Sequence, residues 1–446
     1  DPNTGELSWG TLGELHPYEI ANGSYAWSVD SVGDLVGPNA GKLRDSAYSV
    51  QFGFNIDDTN TNTGRVSIGY NTGNNNQGSD TVAIGNEAGN SNQGQTSIAV
   101  GYQAGNSCQG QSAIAVGHQA GNNCQRYGSI AIGEYAGALR QGRNCSYAVA
   151  VGQNAGQCCQ GAKTVAIGYY AGQQDQTWDA VAIGRSAGTS YQNSYGIAIG
   201  SRAGEFQQSS KSVAIGYYAG QCNQCYQSVA VGAEAGRYGQ CDDAVAIGSY
   251  AGYQNQGWKS VAVGSGAGNC HQSAWSVAVG LNAGSNHQGN SSVAVGHGAG
   301  YFCQHSDAVA VGVMAGKNCQ GCSAVAIGNR AARNSQQYGA VAIGSQAGYY
   351  GQGAYAVSIG TNAGYGCEAS QGQYAIAIGH NAGYCYSAEG SIILNASGGV
   401  LNATSAGFYV SATRYEETQE EIDGIAFYNP TTKEIRYSYT LDGGAF

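Results

Sequence analysis

The chain has 446 residues, 73 of them Gly and 4 Pro, with only 10% charged residues and a net charge of −10. The scarcity of Pro excludes collagen, and 42% apolar residues exclude a disordered chain. Lys and Arg do not cluster, which argues against nucleic acid as a partner, and no apolar run approaches the ~20 residues of a membrane helix, so no direct membrane insertion is expected. The 14 Cys and five Asn-x-Ser/Thr sequons (Asn22, Asn144, Asn290, Asn395, Asn402) fit an extracellular location or the surface of a cell or virion. The chain starts at Asp1 without a signal peptide, which reads as a processed product or a fragment.

Residues 1–45 show turn formers and no helical period, and are expected to form a cap or attachment segment. Residues 46–395 are a repeat array. Its unit is Val-Ala-Ile-Gly-x-x-Ala-Gly-x-x-x-Gln, as in Val213-Ala214-Ile215-Gly216-Tyr217-Tyr218-Ala219-Gly220 with Gln224 closing the unit. Counting the first Gly as position zero, twenty units run from Gly69 to Gly379 in steps of sixteen, with two steps of nineteen. Val50-Gln51-Phe52-Gly53 reads as an atypical first coil and Ser391–Asn395 as a degenerate last one.

Positions −3 and −1 are Val or Ile in all twenty units, and −2 is Ala except at Ser67 and Ser358. This period-two pattern of β-branched residues describes a short strand. A unit so short and Gly-rich cannot be helical. The fold class is therefore all-β: a parallel β-solenoid, or β-roll, of about 21 sixteen-residue coils. Val213 and Ile215 are expected to fill the coil, while Ala214 and Gly216 face outward as a flat strip that packs against a second copy. Ala-Gly at +3 and +4 reads as a turn with Gly at positive φ. The position of the second strand stays open.

Gln occupies +8 in eighteen successive units: Gln77, Gln93, Gln109, Gln125, Gln141, Gln160, Gln176, Gln192, Gln208, Gln224, Gln240, Gln256, Gln272, Gln288, Gln304, Gln320, Gln336 and Gln352. In-register amides that bond above and below form a structural ladder. Residues 396–446 change character, with an acidic run at Glu416–Asp423 and a strand–turn–strand pattern from Ile425 to Ser438 that predicts a β-hairpin. Asp1–Trp9 echoes Asn429–Tyr437, as half of a similar hairpin, which makes Trp9, Tyr428 and Tyr437 candidate assembly ends.

No constellation of acid, base and nucleophile stands out, no Gly-Lys-Ser/Thr accompanies the Gly-rich units, and neither a catalytic site, a metal site nor a cofactor is expected. Cys108 and Cys124 share position +7 in neighbouring coils, as do His271, His287, Cys303 and Cys319, and Cys225 and Cys241 share +9. Neighbouring coils lie within disulfide reach, so these cysteines are candidates for inter-coil disulfides, with free or interchain thiols and a metal as alternatives. Four donors in a straight row cannot converge tetrahedrally on zinc. Tyr127, Trp178, Tyr195, Tyr226, Trp258, Trp275, Tyr338 and Tyr355 fall at +10 or +11. They cover coil edges or form surface binding aromatics for a glycan or for lateral contact between rods.

The Ser-Val-Ala-Ile-Gly-x-x-Ala-Gly unit resembles the head repeats of YadA-like trimeric autotransporter adhesins over roughly residues 50–395. The resemblance implies a left-handed β-roll, three chains side by side and extracellular binding. The coiled-coil stalk and anchor barrel of that family are not visible in the sequence. The long Gln column, with Gly407–Val410 and Tyr428–Ile435, is also similar to repeat-rich tail-fibre proteins of phages and giant viruses. The expected function is a non-enzymatic structural fibre or filament subunit, a homotrimer that assembles head-to-tail through its terminal strands. The alternative is an adhesin that binds a host receptor or glycan. Ice binding, which favours Thr rows, is more remote.

Overall fold

The computed structural model describes residues 48–56, 61–142, 147–367 and 369–411, and the strand residues 28–29, 35–37, 41–44, 425–428 and 435–438. All regular structure in them is β. The Val-Ala-Ile segments form one parallel sheet in strict register. Val213–Ile215 pairs residue for residue with Ile197–Ile199 before it and Val229–Val231 after it. The atypical first coil is real, with Val50 opposite Val66 and Gly53 opposite Gly69. At the other end the array runs one coil beyond Asn395, because Ile392–Asn395 pairs with Phe408–Ser411. The result is a solenoid of about 22 turns, and a strand spacing of ~4.8 Å makes it a rod about 100 Å long. Both nineteen-residue steps are absorbed without loss of register, at Ile130 opposite Val149 and at Val357 opposite Ile376.

The second strand of each coil lies at +6 to +8 and ends on the Gln, as in Cys222–Gln224 against Tyr238–Gln240. Where it shortens to a single bridge, as from Asn123 to Ser190, the column continues. The segment before the array is more regular than expected. Leu35–Gly37 and Gly41–Arg44 add antiparallel to Ser49–Phe54, and Ser28–Val29 adds to Leu35–Gly37. The expected hairpin at the other end is present, with Ile425 opposite Ser438 and Tyr428 opposite Ile435.

Turning sixteen residues through a full circuit requires corners that L-residues seldom adopt. In the coil of Gly216, φ is positive at Gly216 (132°), Tyr218 (55°), Gly220 (51°), Asn223 (56°) and Gln227 (55°). A left-handed non-Gly residue costs roughly 1–2 kcal/mol. Here the corner amides are paired between coils: Tyr218 N–H donates to Ser201 O at 3.0 Å and Gln227 N–H to Ser210 O at 3.2 Å. Gly is mandatory at zero for a different reason. A Cβ on Gly216 would stand 2.5 Å from the carbonyl oxygen of Gly232 in the next coil. The Gly therefore lets coils stack, and does not make room for a second chain.

The two faces of the main strand are the reverse of the expectation. Ala214 and its equivalents at −2 have no exposed surface, and neither do Ala219 and its equivalents at +3. Ser212 at −4 and Gln224 at +8 are equally buried. These four side chains, with the buried Gly at +4, fill the interior, and the apolar core is an Ala column. Val213 is half-buried and Ile215 is 37% exposed. At −2 the coil is too narrow to enclose a Val or Ile next to a Gln, so Val and Ile stand outside.

Candidate functional site

The longest surface feature stems directly from that inversion. Val or Ile at −3 and −1 projects from every coil, and Ile68, Ile132, Ile167, Ile215, Ile247, Ile327, Ile343, Ile359 and Ile378 at −1 are 37–41% exposed. The strip runs unbroken along the sheet. Its exposed apolar area is on the order of 1,000–2,000 Å², against about 300–600 Å² for the largest patch of a typical monomer.

The Gln column is a buried ladder, as expected. Gln224 Nε2 donates to Val213 O (2.7 Å), to Ser228 O (3.4 Å) and to Gln240 Oε1 (3.2 Å). The same amide-to-amide bond runs from Gln160 through every rung to Gln352. Before Gln160 the ladder is intermittent: Gln77 donates to Gln93 (3.1 Å) and Gln109 to Gln125 (3.2 Å), while Oε1 of Gln109, Gln141 and Gln160 is buried without a donor. The Ser at −2 in two units now has a reason. Ser358 Oγ donates to Gln371 Oε1 at 2.6 Å and receives Gln352 Nε2 at 3.4 Å, bridging the second long step. Ser67 Oγ donates likewise to Gln77 Oε1 at the first rung (2.8 Å).

The disulfide expectation is of the right kind but names the wrong pairs. Cys108, Cys124, Cys225, Cys241, Cys303 and Cys319 are all free thiols. Cys303 and Cys319 stand opposite each other in neighbouring coils, and Cys108 and Cys124 follow the bridge between Ser107 and Asn123. Burial pushes the thiols of Cys124, Cys225, Cys241 and Cys303 upward in pKa, with the neighbouring cysteine adding to the effect at Cys124, Cys225 and Cys303. The bond present joins Cys367 to Cys385 in adjacent coils, with Cα atoms 4.6 Å apart. It closes the second nineteen-residue step and, for a loop of this length, contributes about 3 kcal/mol in the chain-entropy view. Cys367 stands at +7 in the coil that carries the inserted residues and Cys385 at +6 in the next, so a search at equal offsets passes over the pair.

The eight aromatics at +10 and +11 are exposed, from Tyr226 at 40% to Trp275 at 56%, with Tyr127, Trp178, Tyr195, Trp258, Tyr338 and Tyr355 between. Tyr338, Tyr355 and Tyr374 form a short row with ring centroids 5.4 and 5.5 Å apart. Lys211 Nζ donates to the Tyr226 hydroxyl at 3.0 Å. A second aromatic column, at +5, was not anticipated. Tyr349, Tyr365 and Tyr384 stack at 5.0 and 4.9 Å beside the disulfide, with Arg333 over Tyr349. Burial, helped by the hydroxyl contact with Tyr350, pushes the Tyr365 phenol up to about 12. In the same column Arg237 lies 4.3 Å from the Tyr218 ring and pairs with Glu234 at 2.7 Å. Counting Tyr at +5 would have revealed this column. Trp9 lies outside the described residues, and of Tyr428 and Tyr437 the structure describes only their place in the hairpin.

No protein-family model matches the chain, and neither the curated proteins nor the solved structures compared with it give a match.

Proposed function

We propose that the chain is a structural subunit of an extracellular fibre or filament, in which three rods associate side by side through their Val/Ile faces. One observation carries this reading: a strip of exposed β-branched residues as long as the rod itself. Its area is that of a stable interface, ~1,600 Å², and water is a poor permanent neighbour for it. Three chains that each present one flat strip close around a common axis without leaving an apolar edge. The number three comes from the resemblance to trimeric adhesin heads and tail fibres. The rod then sets a length and carries variable corner residues on the outside.

The test keeps the coil and alters only its outer face. The triple variant I215D/V231D/I247D leaves every interior position untouched, so its circular dichroism is expected to match that of the parent. Light scattering after size exclusion is expected to give a trimer mass for the parent and a monomer mass for the variant. A monomeric parent sinks the reading.

Head-to-tail assembly is the second part of the proposal. The Asn-Pro-Thr sequence of the carboxy-terminal hairpin has a variant copy within Asp1–Trp9, and strand addition at a hairpin is a common mode of polymerisation. Deletion of residues 1–10 is expected to leave folded trimers that form no filaments by negative-stain microscopy. Filaments of normal length from that deletion count against strand addition. The exposed Tyr338–Tyr355–Tyr374 row favours a secondary reading, in which the same rod stacks sugar rings as an adhesin.

A further inference from the structure

The sequence holds one Cys-Cys pair, Cys158-Cys159, at +6 and +7 of the first coil after the first nineteen-residue step. In an extended strand neighbouring side chains point to opposite faces. Here Cys159 takes a left-handed corner, with φ 58°, and the two sulfurs meet at 3.2 Å. The backbone of the pair is held from both sides. Cys158 N–H donates to Gln173 O in the next coil and Cys159 N–H to Leu139 O in the preceding one, each at 2.9 Å. Both thiols are half-buried and free. Cys158 bridges Leu139 and Gln174 in the second-strand column, away from the Val/Ile face.

The spacing decides what can join the two sulfurs. A disulfide wants Cα atoms about 4.4–6.8 Å apart, whereas consecutive ones stand about 3.8 Å apart, so direct closure is strained. A single bridging atom avoids that strain. With sulfur bonds of about 2.3 Å, as thiolates make to zinc, a linear centre sets its sulfurs about 4.6 Å apart, a tetrahedral one about 3.8 Å and a right-angled one about 3.3 Å. Only the last matches the observed contact. Trivalent arsenic is thiophilic and has this geometry, because its lone pair compresses its three bonds into a steep pyramid. Burial, then the contact with Cys159, pushes the Cys158 thiol upward. That disfavours the thiolate and the chemistry that depends on it, such as divalent-metal binding. Net condensation with arsenic-bound hydroxyl consumes the thiol protons and leaves no charge to bury.

We propose that Cys158 and Cys159 form a dithiol site for trivalent arsenic compounds of the type R–As(OH)2. Two As–O bonds and two S–H bonds break, two As–S bonds form, and two waters leave. Arsenic stays trivalent and no electron is transferred. The product is a neutral ring that clamps the corner of this coil. Leu139, 45% exposed in the adjacent rung, offers an apolar neighbour to an organic R group.

The probe is phenylarsine oxide, added to the reduced full chain in excess monothiol, and intact-mass spectrometry counts the phenylarsenic adducts. The monothiol strips arsenic held by a single sulfur and spares a chelate. The variants are C158S, C159S and C158S/C159S. Ser already stands at +6 in Ser107 and at +7 in Ser335, so the fold is expected to persist, and circular dichroism checks it. The parent is expected to carry one adduct more than each of the three variants, whatever the other cysteines bind. Chymotrypsin, which cuts after Tyr147, separates the pair from Cys145. Digestion of the loaded parent is therefore expected to place an adduct on a peptide whose only cysteines are Cys158 and Cys159, a result that stands even where a variant fails to fold. Equal adduct counts for the parent and the double variant overturn the proposal. So does an adduct that either single variant keeps, or a Cys158-Cys159 peptide that carries no arsenic.

Discussion

Ala230→Ile is expected to destabilise the rod by about 3 kcal/mol, the upper end of what overpacking a close-fitted core costs. The same added carbons on the outward face, as in Ala233→Ile at +1, should cost almost nothing. The reason is the width of the coil. Opposite Ala230 stands Gly236, where even a single Cβ would come within 3.2 Å of the Ala230 methyl and 2.7 Å of Gln240 Oε1. The interior has no slack, because each wall is built to the thickness of a methyl group or a folded Gln. The chain contains its own control. Ile393 occupies −2 with no exposed surface, and six residues before it the +8 position is Ser387, not Gln. A Cβ on Gly383 would sit 3.1 Å from Ile393 Cδ1 and closer still to Ser387 Oγ, so the Ile fills the volume that a Gln vacates. The equivalent pair in the middle of the rod is Ala230 and Gln224. The double variant A230I/Q224S is therefore expected to lose less than the sum of the two single variants, with a coupling of about 0.5–3 kcal/mol. Urea unfolding of the four proteins measures it. Strict additivity would refute the claim that these two positions share one volume.

The inversion of inside and outside explains which features are legible in the sequence and which are not. Alternation fixes that two faces exist and leaves open which is buried, because a shift of one residue exchanges them. The general ranking of buried residues puts Val and Ile inside, and that rule fails when the enclosed space admits four side chains per turn and one of them is Gln. A signal was present. Position −4 alternates among Ser, Thr, Ala and Gly from Thr81 to Ala375, a restriction to small residues with no use on a surface. With Ala at −2 it marks a narrow interior. The period, the strand, the Gly at +4 and the Gln ladder were legible because each repeats at a constant offset. The Cys367–Cys385 bond and the Ser358 bridge were not, since both adapt to the second nineteen-residue step, where offsets change.

Gln336→Leu is expected to open the rod at that rung, although Leu is close to Gln in size. Gln336 Nε2 donates to Val325 O (2.8 Å), Ala340 O (2.9 Å) and Gln352 Oε1 (2.9 Å), and its own Oε1 receives Gln320 Nε2 at 3.0 Å. The residue is 2% exposed, so no solvent replaces these partners. Each buried polar atom left unpaired costs about 1–3 kcal/mol, more than a transferred methyl returns. The loss is not confined to one coil. Gln320 keeps its two carbonyl bonds but loses its amide acceptor, and Gln352 Oε1 loses its donor. In a quasi-linear array, stability is set by interfaces between neighbours, so a weak rung becomes the place where the rod parts into two shorter solenoids. Hydrogen exchange is expected to rise in Val325–Gln352 and to stay at parent levels near the far end of the rod, at Val82–Gln93. The double variant Q336L/Q352L removes one shared bond only once, so its cost is expected to fall short of twice that of Q336L. A uniform rise in exchange along the whole rod would show that the ladder acts as a single cooperative spine and not as rungs.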